Sequence, residues 1–297
     1  MINRLFILLI SILAGVTCFA QEYTFKHLTN ADGLLSELRL SMAEDRFGRL
    51  WISSDEGLTV FDGYEMNYYT KENGSGLLFN FLDQVFCDSK GTIWISGQDG
   101  LQYKNENEKL FKELTYADSS IKRALICGQT SEGNLLLASG KYCYIIKDDK
   151  SVTILEKLSK LVETRSSPVD VRQLKNDEWL FCLPQNIVLA NIKQQKIIKS
   201  FSYTDPMGVC KINDTGFITG SYSKDTIAIV NTNTGKITPI NNWKSNTGMP
   251  MGGYMSGITA IGNSKYAVGS RYFGLYIIDV KDSSYEHVVS NPAIASS

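Results

Sequence analysis

Residues 45–53 read DRFGRLWIS and residues 88–96 read DSKGTIWIS, so the pattern D-x-x-G-x-[LI]-W-I-S occurs twice, 43 residues apart. In each copy Asp opens a tight turn, and Gly, which tolerates positive φ, closes it. Leu50-Trp51-Ile52 and Ile93-Trp94-Ile95 then have the bulky apolar character of a buried strand. A second turn follows at Asp55-Glu56-Gly57 and at Gln98-Asp99-Gly100, and the first copy adds a third at Asp62-Gly63. With Leu38–Ala43 before it and Tyr64–Tyr69 after it, the first unit is a four-stranded β-meander of about forty residues. Self-similarity at roughly 40–50 residues with four short strands per unit is the signature of a β-propeller.

The period continues while the motif weakens. Blades are expected at about 36–70, 79–115, 121–157, 167–202, 207–242 and 254–291. The third keeps the turn glycine Gly133 and replaces Trp by Leu136; Trp179 lies a further 43 residues on. Each unit has two apolar faces and must stack to bury them, so Trp51, Trp94 and Trp179 are read as core between blades. Leu155–Val162 is expected to form a helical turn between blades three and four.

Phe25-Lys26-His27-Leu28-Thr29 resembles Phe111-Lys112-Glu113-Leu114-Thr115 in the outer strand of blade two, so residues 22–29 read as an outer strand without its own inner three. Six blades are visible, and linker-like Ser290–Ser297 follows the last. The expectation is an incomplete seven-bladed ring, truncated at its C-terminus.

Residues 1–20 are a separate object. Arg4, the apolar run Leu5–Val16 and Cys18-Phe19-Ala20 match a cleaved signal peptide ahead of Gln21, and the apolar run is short for a membrane span. Cys18 suggests a lipoprotein, but Gly15-Val16-Thr17 lacks the usual Leu. Export allows disulfides, yet Cys87, Cys127, Cys143, Cys182 and Cys210 are odd in number and include no C-x-x-C. Cys87, Cys127 and Cys210 fall near the end of the first strand of their blades, and buried free thiols are expected. Thirty basic against 31 acidic residues argues against a nucleic-acid partner.

Gly33-Leu34-Leu35-Ser36, Asp45, Gly48, Trp51, Gly57-Leu58 and Asp62-Gly63-Tyr64 together resemble the two-component regulator propeller repeat. Behind a signal peptide, such repeats look like the start of the periplasmic sensor region of a hybrid two-component system. The resemblance implies a parent protein with two seven-bladed propellers and a small β-sandwich before a membrane helix, histidine kinase, receiver and DNA-binding domain. It implies an oligosaccharide ligand, a periplasmic location and an inner-membrane anchor in the parent. The implied partners are the remaining blades, the second propeller and a homodimer through the full-length receptor. The resemblance rests on motif over residues 21–115 and on period alone over 121–291. No kinase or DNA-binding segment lies in these 297 residues, so no enzyme activity is expected of them.

The residues themselves point the same way. His27 and His287 sit where outer-strand surface residues belong, and no catalytic motif, metal site or cofactor site is assigned. Loops after the second strand of each blade share one face with the linkers between blades. Lys141-Tyr142, Tyr222 and Arg271-Tyr272-Phe273 lie in three such loops, and Trp243 and Tyr254 in the linker before blade six. Aromatic faces with cationic donors suit sugars, especially acidic ones. The bland alternative is that these tyrosines begin the third strand and pack. A protein-interaction scaffold and a polysaccharide-active enzyme, whose carboxylate pair comes from distant blades, are the competing functions.

Overall fold

A computed structural model describes residues 28–162, 168–223, 227–240, 243–245, 255–262, 264–270 and 274–288. The expected signal peptide and most of the lone N-terminal strand lie outside these residues. Of that strand, Thr29 caps a 3-10 turn at Asn30–Asp32, accepting from the Ala31 N–H at 3.2 Å.

The described residues form six antiparallel β-meanders arranged as the blades of a propeller. Blade one is β1 (Arg39–Glu44), β2 (Leu50–Ser54), β3 (Leu58–Phe61) and β4 (Met66–Tyr69). Blade two is β5 (Leu82–Cys87), β6 (Ile93–Gly97), β7 (Leu101–Lys104), β8 (Lys112–Tyr116) and a short extra strand, β9 (Ser119–Ser120). Blade three is β10 (Leu125–Gln129), β11 (Leu135–Ser139), β12 (Tyr142–Ile146) and β13 (Val152–Ile154), followed by helix α1 (Glu156–Val162). Blade four is β14 (Asp170–Lys175), β15 (Glu178–Leu183), β16 (Asn186–Asn191) and β17 (Lys196–Ser202). Blade five is β18 (Pro206–Asn213), β19 (Gly216–Ser221), β20 (Ile227–Asn231) and β21 (Ile237–Pro239). Then come β22 (Lys244–Ser245) and blade six, β23 (Met255–Gly262), β24 (Lys265–Ser270), β25 (Gly274–Asp279) and β26 (Ser284–Val288). Two blades thus carry a fifth strand. β9 pairs with β8, and β22 runs parallel to β26, each covering an outer edge that would present unpaired backbone groups.

The repeated motif has a physical cause. Asp45 Oδ1 accepts the Phe47 and Arg49 N–H groups at 2.9 and 3.1 Å, closing the turn, while Oδ2 accepts the Trp51 indole N–H at 2.9 Å. Asp88 does the same for Lys90, Thr92 and Trp94 at 2.9, 2.8 and 3.0 Å. One carboxylate therefore fixes the turn and satisfies the polar atom of the core side chain six residues on. Blade four differs: Gln173 pairs with Trp179 across a tight turn at Asn176-Asp177, which leaves no position for such an Asp. Trp179 is as buried as Trp51, and its indole N–H finds no partner among the described residues.

One apolar cluster fills each seam from blade one to blade six, with Trp51 between blades one and two, Trp94 between two and three, and Trp179 between three and four. Phe217 serves the next seam and Ile218 the one after it. Neighbouring inner strands pack in the order β1, β5, β10, β14, β18, β23, and all six contribute to one central cavity. On the β1 side facing away from blade two, Met42 is 63% exposed.

All five cysteines from Cys87 to Cys210 are free thiols, but they are not equivalent. Cys127 sits at a β-bulge within β10 and is buried, whereas Cys87 ends β5 and is half-buried, as is Cys210. Burial pushes the Cys143 thiol up to about 12 and Cys87 to about 11. His287 is also less exposed than its strand position suggests. It is half-buried and stacked on Tyr276, its partner across β25 and β26, with centroids 4.7 Å apart. Among the described residues no helix is long and apolar enough to cross a membrane.

Candidate functional site

The inner strands all start on one face, and the turns from second to third strand emerge on that face too. Two concavities open there. The first is a cleft of about 360 Å³ between blades two and three, and the second is the mouth of the central cavity, about 440 Å³.

The cleft is built by two tight turns. Tyr116 and Ser119 pair across Ala117-Asp118, both at positive φ (49° and 58°), the backbone of a two-residue hairpin that matches strand twist. This hairpin folds β9 back beside β8 and carries Ile121 and Lys122 across toward blade three. Opposite, Ser139 pairs with Tyr142 across Gly140-Lys141, where Gly140 supplies the positive φ (55°) at the first turn position. Ser139 Oγ donates to the Lys122 carbonyl at 2.5 Å and fastens the two walls together.

Three tyrosines line the result. Tyr116 and Tyr142 are 37% and 39% exposed, and each meets the buried Tyr144 edge-on at centroid distances of 6.1 and 6.0 Å. Burial raises the Tyr144 phenol above its ordinary pKa, and the neighbouring Tyr142 and Tyr116 add to the effect. Lys141 Nζ stands 5.3 Å from the Tyr142 ring centroid, and the exposed Lys122 lines the cleft at its rim. The cleft therefore offers two aromatic faces, a fixed ring between them and two ammonium groups.

Of the residues singled out from sequence, Lys141 and Tyr142 meet in this cleft. Tyr222 lies on blade five, 40% exposed, with its N–H donating to the Asp205 carbonyl at 2.8 Å. Trp243 is half-buried and packs against the apolar cluster between blades five and six. Tyr254, Arg271, Tyr272 and Phe273 lie outside the described residues. Tyr116, Tyr144 and Lys122 were not legible as site residues. Tyr144 follows Tyr142 at the strand period of two, and Tyr116 ends the outer strand just before a linker; those were the available signals.

The central cavity is polar and charged. Strand register is interrupted at the bulges around Leu40, Asp83 and Met207, which turn these three residues toward the cavity. Arg123, Asp170 and Arg172 join them. Arg172 Nε is 3.0 Å from Asp170 Oδ1, and Asp170 Oδ2 accepts the Val209 N–H at 3.1 Å across the seam to blade five. Burial raises the pKa of Asp83 above its ordinary value, against the opposing charge of Arg123. No group of three or more His, Cys, Asp or Glu side chains among the described residues is placed to hold a metal ion.

No family model and no curated protein matches the chain. Among solved structures it is similar to the extracellular domain assigned to a hybrid two component system from B. thetaiotaomicron, with 18% identity and a TM-score of 0.72 over 91% of this chain. This chain spans 37% of the length of that extracellular domain's chain. It is also similar to virginiamycin B lyase from Staphylococcus aureus, with 16% identity and a TM-score of 0.62 over 82% of each chain. A third likeness is to the extracellular domain assigned to a one component system from B. thetaiotaomicron, with 13% identity and a TM-score of 0.53 over 85% of this chain and 43% of that one. At these identities the likeness is one of fold: this chain is a β-propeller, of an architecture shared by extracellular domains of bacterial regulatory systems and by an enzyme.

Proposed function

We propose that this chain is a propeller of the extracytoplasmic sensor region of a hybrid two-component system, and that it binds oligosaccharide in the cleft between blades two and three. The observation that carries the binding is the pairing of two half-exposed rings, Tyr116 and Tyr142, around the buried Tyr144 with Lys122 and Lys141 at the rim. Sugars present an apolar face to stack on a ring and a hydroxyl edge to accept from a cation. Receptor membership is supported by the repeat pattern of residues 33–64 and by the likeness to the B. thetaiotaomicron extracellular domain. Export through a cleaved leader at residues 1–20 belongs to the same reading.

Calorimetric titration of the full chain with a panel of neutral and acidic oligosaccharides tests it. Binding by one class, weakened severalfold and up to about tenfold by Tyr142→Ala, is the expected result, since stacking on a ring contributes about 0.5–1.5 kcal/mol. Binding that Tyr142→Ala and Tyr116→Ala leave intact would remove the ligand from this cleft. Turnover of any glycan by the purified chain would make it an enzyme instead.

A further inference from the structure

We infer that the ligand of this cleft is an acidic oligosaccharide, bearing carboxylate or sulfate groups, and that Arg123 with Lys122 forms the subsite that reads its charge. The inference rests on the carbohydrate reading above and adds the ligand's chemical class.

The two concavities meet at one peptide unit. Lys122 lines the aromatic cleft, and the next residue, Arg123, lines the central cavity. A ligand stacked in the cleft meets Lys122 there, and on passing into the central cavity it meets the adjacent Arg123.

Arg123 is held there at a cost. Its φ of 49° lies in the left-handed region, which is unfavourable for a side chain of this kind. Three of the nine non-glycine residues with positive φ among the described residues (Ala117, Asp118 and Arg123) fall in the short segment that walls this junction. The Arg123 N–H donates to the Gly97 carbonyl at 2.9 Å. Gly97 has no room for a side chain, because a Cβ there would lie 2.5 Å from the Phe81 carbonyl oxygen. Backbone strain of this sort persists where the surroundings over-determine it, and it concentrates at functional sites.

Charge gives the second line. Lys122, Arg123 and Lys141 form no ion pair among the described residues, whereas Arg172 in the same cavity is paired with Asp170. Asp83 acts on Arg123 as a charge at longer range. Glu113, on the neighbouring strand β8, accepts the Ser120 hydroxyl. The chain as a whole carries a net charge of −1, so three unpaired cations at one junction are a local arrangement, not a basic surplus. A guanidinium presents a planar fork that matches a carboxylate or sulfate, which an ammonium does not.

The test is calorimetric titration of the full chain with tetragalacturonate, a heparin-derived tetrasaccharide and neutral maltotetraose, at two salt concentrations. One acidic ligand is expected to bind about tenfold tighter than the neutral one and to weaken as salt rises. The arm that binds distinguishes carboxylate from sulfate. Arg123→Asn keeps the left-handed backbone, which Asn tolerates, and is expected to remove that tenfold preference; Lys122→Gln is expected to reduce it. Tyr142→Ala should weaken acidic and neutral ligands alike. A neutral ligand bound as tightly as both acidic ones overturns the inference and leaves the carbohydrate reading standing. So does unchanged acidic binding in a natively melting Arg123→Asn. Absence of binding by all three ligands, with no response across the wider panel, overturns both.

Discussion

Gln84 holds Ile126 by both of its backbone groups, across the seam between blades two and three: its side-chain Nε2 donates to the Ile126 carbonyl at 2.9 Å, and its Oε1 accepts the Ile126 N–H at 2.8 Å. An inner strand has no sheet partner on its cavity side, so this one amide does for β10 what a neighbouring strand does elsewhere. Gln84→Ala is expected to cost about 1–3 kcal/mol, the range for leaving partly buried polar groups unmet. Gln84→Glu keeps the acceptor yet sets a carboxylate oxygen against the Ile126 carbonyl, so it should recover little. Urea midpoints at unchanged slope measure both, and a wild-type midpoint in Gln84→Ala would show that the bond adds nothing to stability.

The tryptophans of the repeats are expected to respond differently to the same substitution. Trp51→Phe removes one of the two donors to Asp45 Oδ2, which keeps Arg49 Nε at 2.7 Å, and should cost about 1.5–3 kcal/mol, the range for a hydrogen bond to a charged group. Trp179→Phe removes an indole N–H that bonds to nothing among the described residues, so only the packing change should register. Equal losses in the two variants would mean that the Asp–Trp bond carries no weight. Truncation to Ala at either site is expected to be severe, about 3–5 kcal/mol, because both rings fill a seam.

Acid should act through Asp45. Burial raises its pKa, but hydrogen bonds from Trp51, Arg49 and Phe47 outweigh that and leave it below its ordinary 3.8. A folded-state pKa depressed in this way contributes stability that is complete above the unfolded value and is lost as pH falls through the folded one. The melting temperature should therefore drop below about pH 4. Asp45→Asn should lower it at neutral pH, because an amide nitrogen then faces the Trp51 or Arg49 donor, and should flatten the acid limb. An acid limb identical to wild type in Asp45→Asn would assign the loss to other carboxylates.

Blades one and two are legible in the sequence because one Asp serves the turn and the tryptophan at once, which fixes residue types at fixed spacing. Blades four and five close the same hairpin in two residues, at Asn176-Asp177 and Asp214-Thr215, so only the spacing of apolar runs remains to betray them. Ser119-Ser120 and Lys244-Ser245 are too short and too polar to announce a strand; they pair because an outer edge lies beside them. Lys141 and Tyr142 could be picked out by their place in a turn that recurs blade after blade. Tyr116 and Lys122 could not, since a different blade delivers them through a left-handed turn at Ala117-Asp118, residue types that rarely advertise one. Grouping Cys127 with Cys87 missed the bulge in β10, which a linear spacing does not reveal.

Each seam takes its apolar filling from two neighbouring blades, and each blade is a meander of consecutive residues. Within a blade the contacts are local, which favours fast formation. A newly formed blade nevertheless keeps one greasy face open until the next, about forty residues later, has folded against it. The interval during which such a chain is vulnerable to sticking is therefore set by the length of its repeat, and it recurs at every blade as the chain emerges.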